Sequence, residues 1–186
     1  DIGASYGFQL RHFGADYINC ETDYSGQGFD QLQYVIDTIR TDPHSRRILF
    51  SYWNPKDLDK AALPSCHLLY QFYVDTDAKT LSCNLYQRSS DYFLANNFNV
   101  VSATILMHMI GKLTGYTPHT LNHMMGDIHI YKNHIQQCQT QLERTPTPFP
   151  TLKIVGNQET ISDFTIDDLI LENYYPQPGI KADMAV

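Results

Sequence analysis

Between Phe98 and Leu113 the chain reads FNVVSATILMHMIGKL, with no proline and one fixed charge, Lys112. A run of that length is too long for an ordinary strand, and as a helix it has no continuous polar face to turn toward solvent. It also falls short of the roughly 20 apolar residues of a membrane span. The expectation is a largely buried helix over this stretch, ending near Gly115, which other elements have to cover. The 186 residues suffice for one sizeable core and are short for two.

Periodicity supplies the covering elements. Residues 30–40 (DQLQYVIDTIR) carry apolar side chains at Leu32, Val35, Ile36 and Ile39, the spacing of one helix face, with Asp30 at the N-cap and Pro43 as the stop. Arg47 to Trp53 reads as a strand and residues 54–57 as a turn. His67 to Val74 and Leu81 to Gln87 read as two more strands, parted by the polar turn at 75–79. His129 to Arg144 reads as another helix, stopped by Pro146 and Pro148, and residues 151–155 and 169–174 as strands. No repeat or linker breaks the series. The fold class expected is α+β, as a single domain over residues 1–186.

A net charge of −7 rules out a general basic surface. Nucleic acid is therefore not an expected partner, and any anion site has to be local and built from few arginines. No apolar run reaches about 18 residues, so no membrane partner is expected. Cys20, Cys66, Cys83 and Cys138 form no CxxC and no close pair, which points to free thiols in a reducing compartment. The histidines make no HExxH, and no metal site is expected. The start, Asp1-Ile2-Gly3-Ala4, has neither an initiator Met nor a basic stretch followed by an apolar one, so a fragment or a processed product is expected.

Reactive residue types concentrate in Ala62-Leu63-Pro64-Ser65-Cys66-His67 and in Tyr86-Gln87-Arg88-Ser89-Ser90-Asp91. The nucleophilic form of cysteine is the thiolate, which is scarce at neutral pH unless positive charge lies nearby. Most free cysteines are small buried hydrophobes, a reading that suits Cys20, Cys83 and Cys138 better than Cys66. Arg46, Arg47 and Arg88 are suited to phosphate, with Ser89 adding a hydroxyl donor. For any one arginine the ordinary alternative is a solvated surface charge. Adjacent strand residues face opposite ways, so Arg46 and Arg47 either sit in a loop or serve a neighbouring subunit. Asn99 is either the N-cap of the apolar helix or an amide that donates to one ring atom and accepts from the next, as uracil requires. His129 and Tyr131, in Gly126-Asp127-Ile128-His129-Ile130-Tyr131, suit a sugar hydroxyl or else mark a capped helix start.

Ten ordered blocks resemble the thymidylate synthase family. They begin with one block made of Tyr6-Gly7-Phe8-Gln9 together with Arg11-His12-Phe13-Gly14, then Asp30-Gln31-Leu32, Ser45-Arg46-Arg47, Trp53-Asn54-Pro55-Lys56-Asp57 and Ala62–His67. They continue through Gln71-Phe72-Tyr73-Val74, Gln87–Asp91, Phe98-Asn99 and Gly126–Tyr131 to the terminal Met184-Ala185-Val186. The resemblance implies that family's α+β fold, a mixed β-sheet packed by helices, with two sheets stacked face to face in a homodimer. It implies a cytoplasmic enzyme that reductively methylates dUMP to dTMP. The cosubstrate would be 5,10-methylenetetrahydrofolate, giving both carbon and hydride, with no metal. Carried over by motif, Cys66 adds to C6 of uracil, and Arg88 and Ser89 hold the 5′-phosphate, joined by Arg46 and Arg47 reaching from a partner subunit. Arg88 would also favour the thiolate of Cys66. His67 and Gln87 belong to the dUMP pocket, Asn99 reads the uracil N3–H and O4, and His129 and Tyr131 bind the ribose 3′-hydroxyl. Asp91 contacts the pterin and orders water near the base, and Tyr6 assists proton removal from C5. Leu63, Leu94, Ala95, Phe98, Ala185 and Val186 line or close the folate pocket.

Two local departures stand out. Leu94-Ala95-Asn96-Asn97-Phe98-Asn99 replaces the frequent Leu-Gly-x-Pro-Phe-Asn, and Ser65 replaces a common proline. The resemblance also covers only the later two-thirds of a usual member. The earlier part supplies one more phosphate arginine, a catalytic glutamate and a tryptophan beside the folate, so this chain by itself is expected to turn over poorly. A dUMP hydroxymethylase, adding water in place of hydride, and a truncated, non-catalytic nucleotide-binding or dimerising protein are the competing expectations.

Overall fold

A computed structural model describes residues 1–184. Alternation of apolar and polar residues builds its centre. Strand β1 (Leu49–Ser51), β2 (His67–Asp75), β3 (Thr80–Asp91) and β4 (Thr117–His129) form one sheet in that order. The first three are antiparallel, and β4 runs parallel to β3. A parallel neighbour needs a crossover, and helix α3 (Asn96–Thr114) provides it. Tyr70, Phe72 and Val74 of β2 and Leu81, Cys83 and Leu85 of β3 bury one face of the sheet. Against that face pack α3 and helix α2 (Gln31–Thr41). Helix α2 buries Leu32, Val35, Ile36 and Ile39, and Asp30 caps it by accepting from the Gln33 N–H, as the spacing predicts. Helices α1 (Tyr6–Arg11) and α4 (Ile135–Leu142) and a hairpin of β5 (Thr151–Ile154) and β6 (Leu169–Glu172) complete the mixed α+β architecture.

Three expectations are corrected. The apolar helix buries one stripe only, Ala103, Met107, Ile110 and Gly111, while Phe98 and Val101 are 74% and 53% exposed. A sheet face covers one side of a helix, so an apolar composition all round does not by itself bury the rest. The helix does end at Gly115, whose φ of +77° is the left-handed cap that glycine adopts without strain. Second, no helix begins at His129. Residues 117–129 form an edge strand with Pro118 near its start, and only 135–142 are α-helical. This strand has few β-branched residues and no clean alternation, and long-range pairing with β3 overrides its weak local signal. Third, the strand expected over 47–53 forms only at 49–51.

The outer face of the sheet mixes exposed apolar side chains with the polar Gln71, Asn84 and Asn122, and no element covers it among the described residues. Leu49, Leu69, Tyr73, Tyr86 and Met124 are all exposed there. Cross-strand pairing of Leu69 with Tyr86 and of Tyr86 with Met124 places these side chains on one surface.

A buried polar cluster fastens α1 to the segment ahead of β2. Gly3, at φ +76°, approaches so closely that a Cβ would lie 1.9 Å from the Lys60 carbonyl oxygen. The Ala4 N–H donates to that same oxygen at 3.1 Å. Asp57, 2% exposed, accepts from Gln9 Nε2 and Asn54 Nδ2 at 2.9 Å each and from Lys60 Nζ at 3.0 Å. Removing a buried carboxylate strands every donor it satisfied. Asp57→Ala is therefore expected to lower the unfolding free energy by about 3 kcal/mol. The measurement is the denaturant midpoint, which should fall at constant slope; an unchanged midpoint would show the cluster to be idle.

Candidate active site

Strand pairing assembles the reactive residues. His67, first in β2, is in register with Gln87 of β3, so the Cys66 carbonyl accepts from the Arg88 N–H at 2.8 Å. The Arg88 side chain folds back over the loop ahead of Cys66. Its Nε donates to the Ser65 carbonyl at 2.9 Å and its Nη2 to the Pro64 carbonyl at 2.8 Å. Nη2 lies 4.0 Å from Cys66 Sγ. The guanidinium sits over Trp53, 5.8 Å from the ring centroid, which holds the fork in place. A cation so placed stabilises negative charge that develops on sulfur. Cys83 is the contrasting thiol, because burial in the core pushes it up to about 12 and removes it as a nucleophile.

Tyr6, at the start of α1, reaches the same corner. Its hydroxyl oxygen accepts from the Cys66 N–H at 2.6 Å and from the His67 N–H at 3.3 Å. Burial raises the phenol above its ordinary value, and the two amides oppose that shift without reversing it. Tyr6 thus stays protonated at neutral pH. With its oxygen occupied by two donors, its own proton is left to donate elsewhere. Burial lowers the His67 imidazole, while the neighbouring Asn99 side chain opposes the shift. His67 Nδ1 is 2.8 Å from the Tyr70 hydroxyl.

Asn99 lies within α3 and not at its cap. The N-cap position is Ala95, which makes no side-chain capping bond. The capping alternative for Asn99 is thereby removed. At the other end of β3, Asp91 pairs with His129 of β4. Asp91 Oδ1 accepts from the Phe93 and Leu94 N–H groups at 3.2 and 3.1 Å, turning the chain into α3. His129 Nδ1 lies 3.3 Å from Asp127 Oδ1, and Tyr131 packs edge-on against the His129 ring. Gln87 is fully buried. It donates to the Ser89 carbonyl at 2.8 Å, and its Oε1 accepts from His123 Nε2, also at 2.8 Å. Ser89 is half-buried on β3 between Arg88 and Asp91.

Leu63 and Phe98 are exposed, and Leu94 and Ala95 are half-buried in the turn entering α3. Ala185 and Val186 lie outside the described residues. Arg46 and Arg47 are exposed in the loop between α2 and β1. Arg46 borders Gln71, Tyr73 and Asn84, a strand length of roughly 15 Å or more from Cys66. Neither arginine pairs with a carboxylate among the described residues. His119 and His123 are four apart, but on β4 that spacing spans about 13 Å, and no group of metal-ligating side chains converges among the described residues.

The structure adds Trp53 under Arg88, His123 behind Gln87, and the Gln9–Asn54–Asp57 cluster that fixes the helix bearing Tyr6. Their partners lie between 3 and 48 residues away, which periodicity does not reveal.

A family-wide description named thymidylate synthase matches residues 1–186. The chain is 53% identical over all 186 residues to the thymidylate synthase of Homo sapiens and 51% identical to that of human herpesvirus 8 type P. It is 48% identical to the bifunctional dihydrofolate reductase-thymidylate synthase of Leishmania major, of which it spans 36%. Of the first two it spans 59% and 55%. Match along the full chain, joined to one cysteine set under an arginine and a tyrosine, leaves a single assignment: the chain belongs to the thymidylate synthase family.

Proposed function

We propose that the protein carrying this chain converts dUMP to dTMP with 5,10-methylenetetrahydrofolate, through a covalent bond between Cys66 Sγ and C6 of uracil. The observation that carries the reading is the position of Cys66 beneath the Arg88 guanidinium, with Tyr6 at its backbone N–H. Addition of the thiolate to C6 makes C5 a carbon nucleophile and divides a hard substitution into easier covalent steps. The folate supplies the one-carbon unit and the hydride, leaving as dihydrofolate, and the thiolate is expelled when the hydride arrives. Tyr6 assists the loss of the C5 proton, for which its placement beside Cys66 is suitable. Asn99 donates to O4 and accepts from N3–H, so cytosine, with the opposite polarity, leaves buried groups unpaired.

Ser89 and Arg88 bind the 5′-phosphate, His129 and Tyr131 the ribose, and His67 and Gln87 shape the dUMP pocket. Asp91, Leu63, Leu94, Ala95 and Phe98 face the folate, with Ala185 and Val186 closing over it. Arg46 and Arg47 serve the active site of a second copy. Their distance from Cys66 in their own chain and the exposed apolar side chains on the outer sheet face support a homodimer stacked through that face. Four free thiols suit a cytoplasmic setting.

The test is product analysis. The native protein carrying this chain, given dUMP and methylenetetrahydrofolate, is expected to release dTMP and dihydrofolate in equal amounts. Accumulation of 5-hydroxymethyl-dUMP would favour a hydroxymethylase, which the altered 94–97 segment makes the second reading. Formation of neither product would mark a non-catalytic chain.

A further inference from the structure

His134 is fully buried, and its Nε2 lies 2.7 Å from the carbonyl oxygen of Asp183. A carbonyl only accepts, so Nε2 carries the proton and Nδ1 is left as an acceptor. Nδ1 is buried and has no partner among the described residues. An orphaned buried nitrogen costs stability, and a phenylalanine would fill the same space without that cost. The feature that a phenylalanine lacks is the bond to the tail. Two neighbours strengthen the same link. Asn133 Nδ2 donates to the Asp183 carbonyl at 3.3 Å, and Gln137 Nε2 to that of Lys181 at 3.4 Å.

The His134 ring also touches both edges of the Asp91–His129 corner. It lies 5.5 Å from the Phe93 ring and 5.7 Å, edge-on, from the Tyr131 ring. Phe93 is held by Asp91, and Tyr131 stands against His129. One ring therefore meets the turn after β3, the segment after β4 and the tail.

We propose that His134 is a positioning residue that tethers the C-terminal tail at Asp183 to the Phe93–Tyr131 edge, so that ordering of the tail and occupancy of this corner reinforce each other. It makes no contact with Cys66 and acts through Tyr131, Phe93 and the tail. Coupling of this kind is reciprocal: a ligand that braces Tyr131 also steadies the tail. The identity of that ligand as dUMP rests on the function proposed above; the tether itself does not.

His134→Phe keeps the ring, removes the Nε2–H and deletes the orphaned nitrogen, so the fold is expected to persist. Carboxypeptidase release of C-terminal residues, followed by mass spectrometry, should quicken about fivefold, the loss of one ordinary hydrogen bond. His134→Gln, which restores an N–H at that reach, should return the rate toward that of the unaltered chain. Equal release rates in the unaltered chain and His134→Phe would overturn the tether. In the unaltered chain, 15N NMR should show His134 protonated at Nε2; protonation at Nδ1 would overturn it without any variant. Adding dUMP should slow release from the unaltered chain more than from His134→Phe, and equal slowing would overturn the coupling. If dUMP does not bind at all, the proposed substrate is wrong, and the tether still stands or falls by the nucleotide-free rates and the tautomer.

Discussion

Cys66→Ser is expected to reduce dTMP formation on the order of 10,000-fold or more, while dUMP binding changes little. A hydroxyl replaces the thiol with nearly the same volume, so the loop held by Arg88 and Tyr6 keeps its shape. The Arg88 bonds to the Pro64 and Ser65 carbonyls and the Tyr6 bond to the Cys66 amide involve backbone atoms that the substitution leaves alone. The variant thus removes the nucleophile and little else. A serine hydroxyl has a far higher pKa than a thiol, and the imidazole next in sequence, His67, has its ring held by Tyr70. Among the described residues no histidine is hydrogen-bonded to Cys66 in the way that activates a hydroxyl in serine hydrolases. The measurement is single-turnover dTMP formation together with dUMP affinity by calorimetry. Turnover within tenfold of the native rate would dismiss Cys66 as the nucleophile.

Arg88→Ala should cost on the order of 1,000-fold in kcat/KM, because one side chain serves three purposes. It shapes the Pro64–Ser65 loop, places positive charge 4.0 Å from Sγ, and is proposed to bind the 5′-phosphate. Arg88→Lys should recover only a small part of this. A lysine ammonium keeps the charge but cannot reproduce the fork that bonds two carbonyls while sitting over the Trp53 ring. Steady-state kinetics on both variants would resolve the roles. Near-native activity of Arg88→Lys would mean that charge alone matters and that the loop bonds are incidental.

That Cys66, Arg88 and Tyr6 would meet in one corner was largely legible in the sequence because they occur in short blocks whose spacing survives folding. Arg88, Ser89 and Asp91 ride on one strand, and the antiparallel register of β2 and β3 sets Cys66 beside Arg88. Helix α2 was legible for a similar reason, since its four apolar residues and its aspartate cap are all local. The segment from 117 to 134 was not. Its strand is specified by pairing with β3, some 37 residues earlier, and the His134 end of the segment bonds to the tail 49 residues later. The apolar character of α3 was plain, but composition does not say which sides a neighbour covers. Support residues were the least visible. Asp57 is one aspartate among several in a turn-like stretch, and only the fold brings Gln9 and Asn54 onto its carboxylate.

The most direct measurement uses 5-fluoro-dUMP, whose C5 fluorine cannot depart as a proton and so traps the adduct. The native protein carrying this chain is to be mixed with 5-fluoro-dUMP and methylenetetrahydrofolate and then digested for mass spectrometry. A nucleophilic Cys66 predicts a peptide containing Cys66 that carries the mass of both nucleotide and folate, absent in Cys66→Ser. An unmodified Cys66 peptide, or the adduct on Cys20, Cys83 or Cys138, would contradict it.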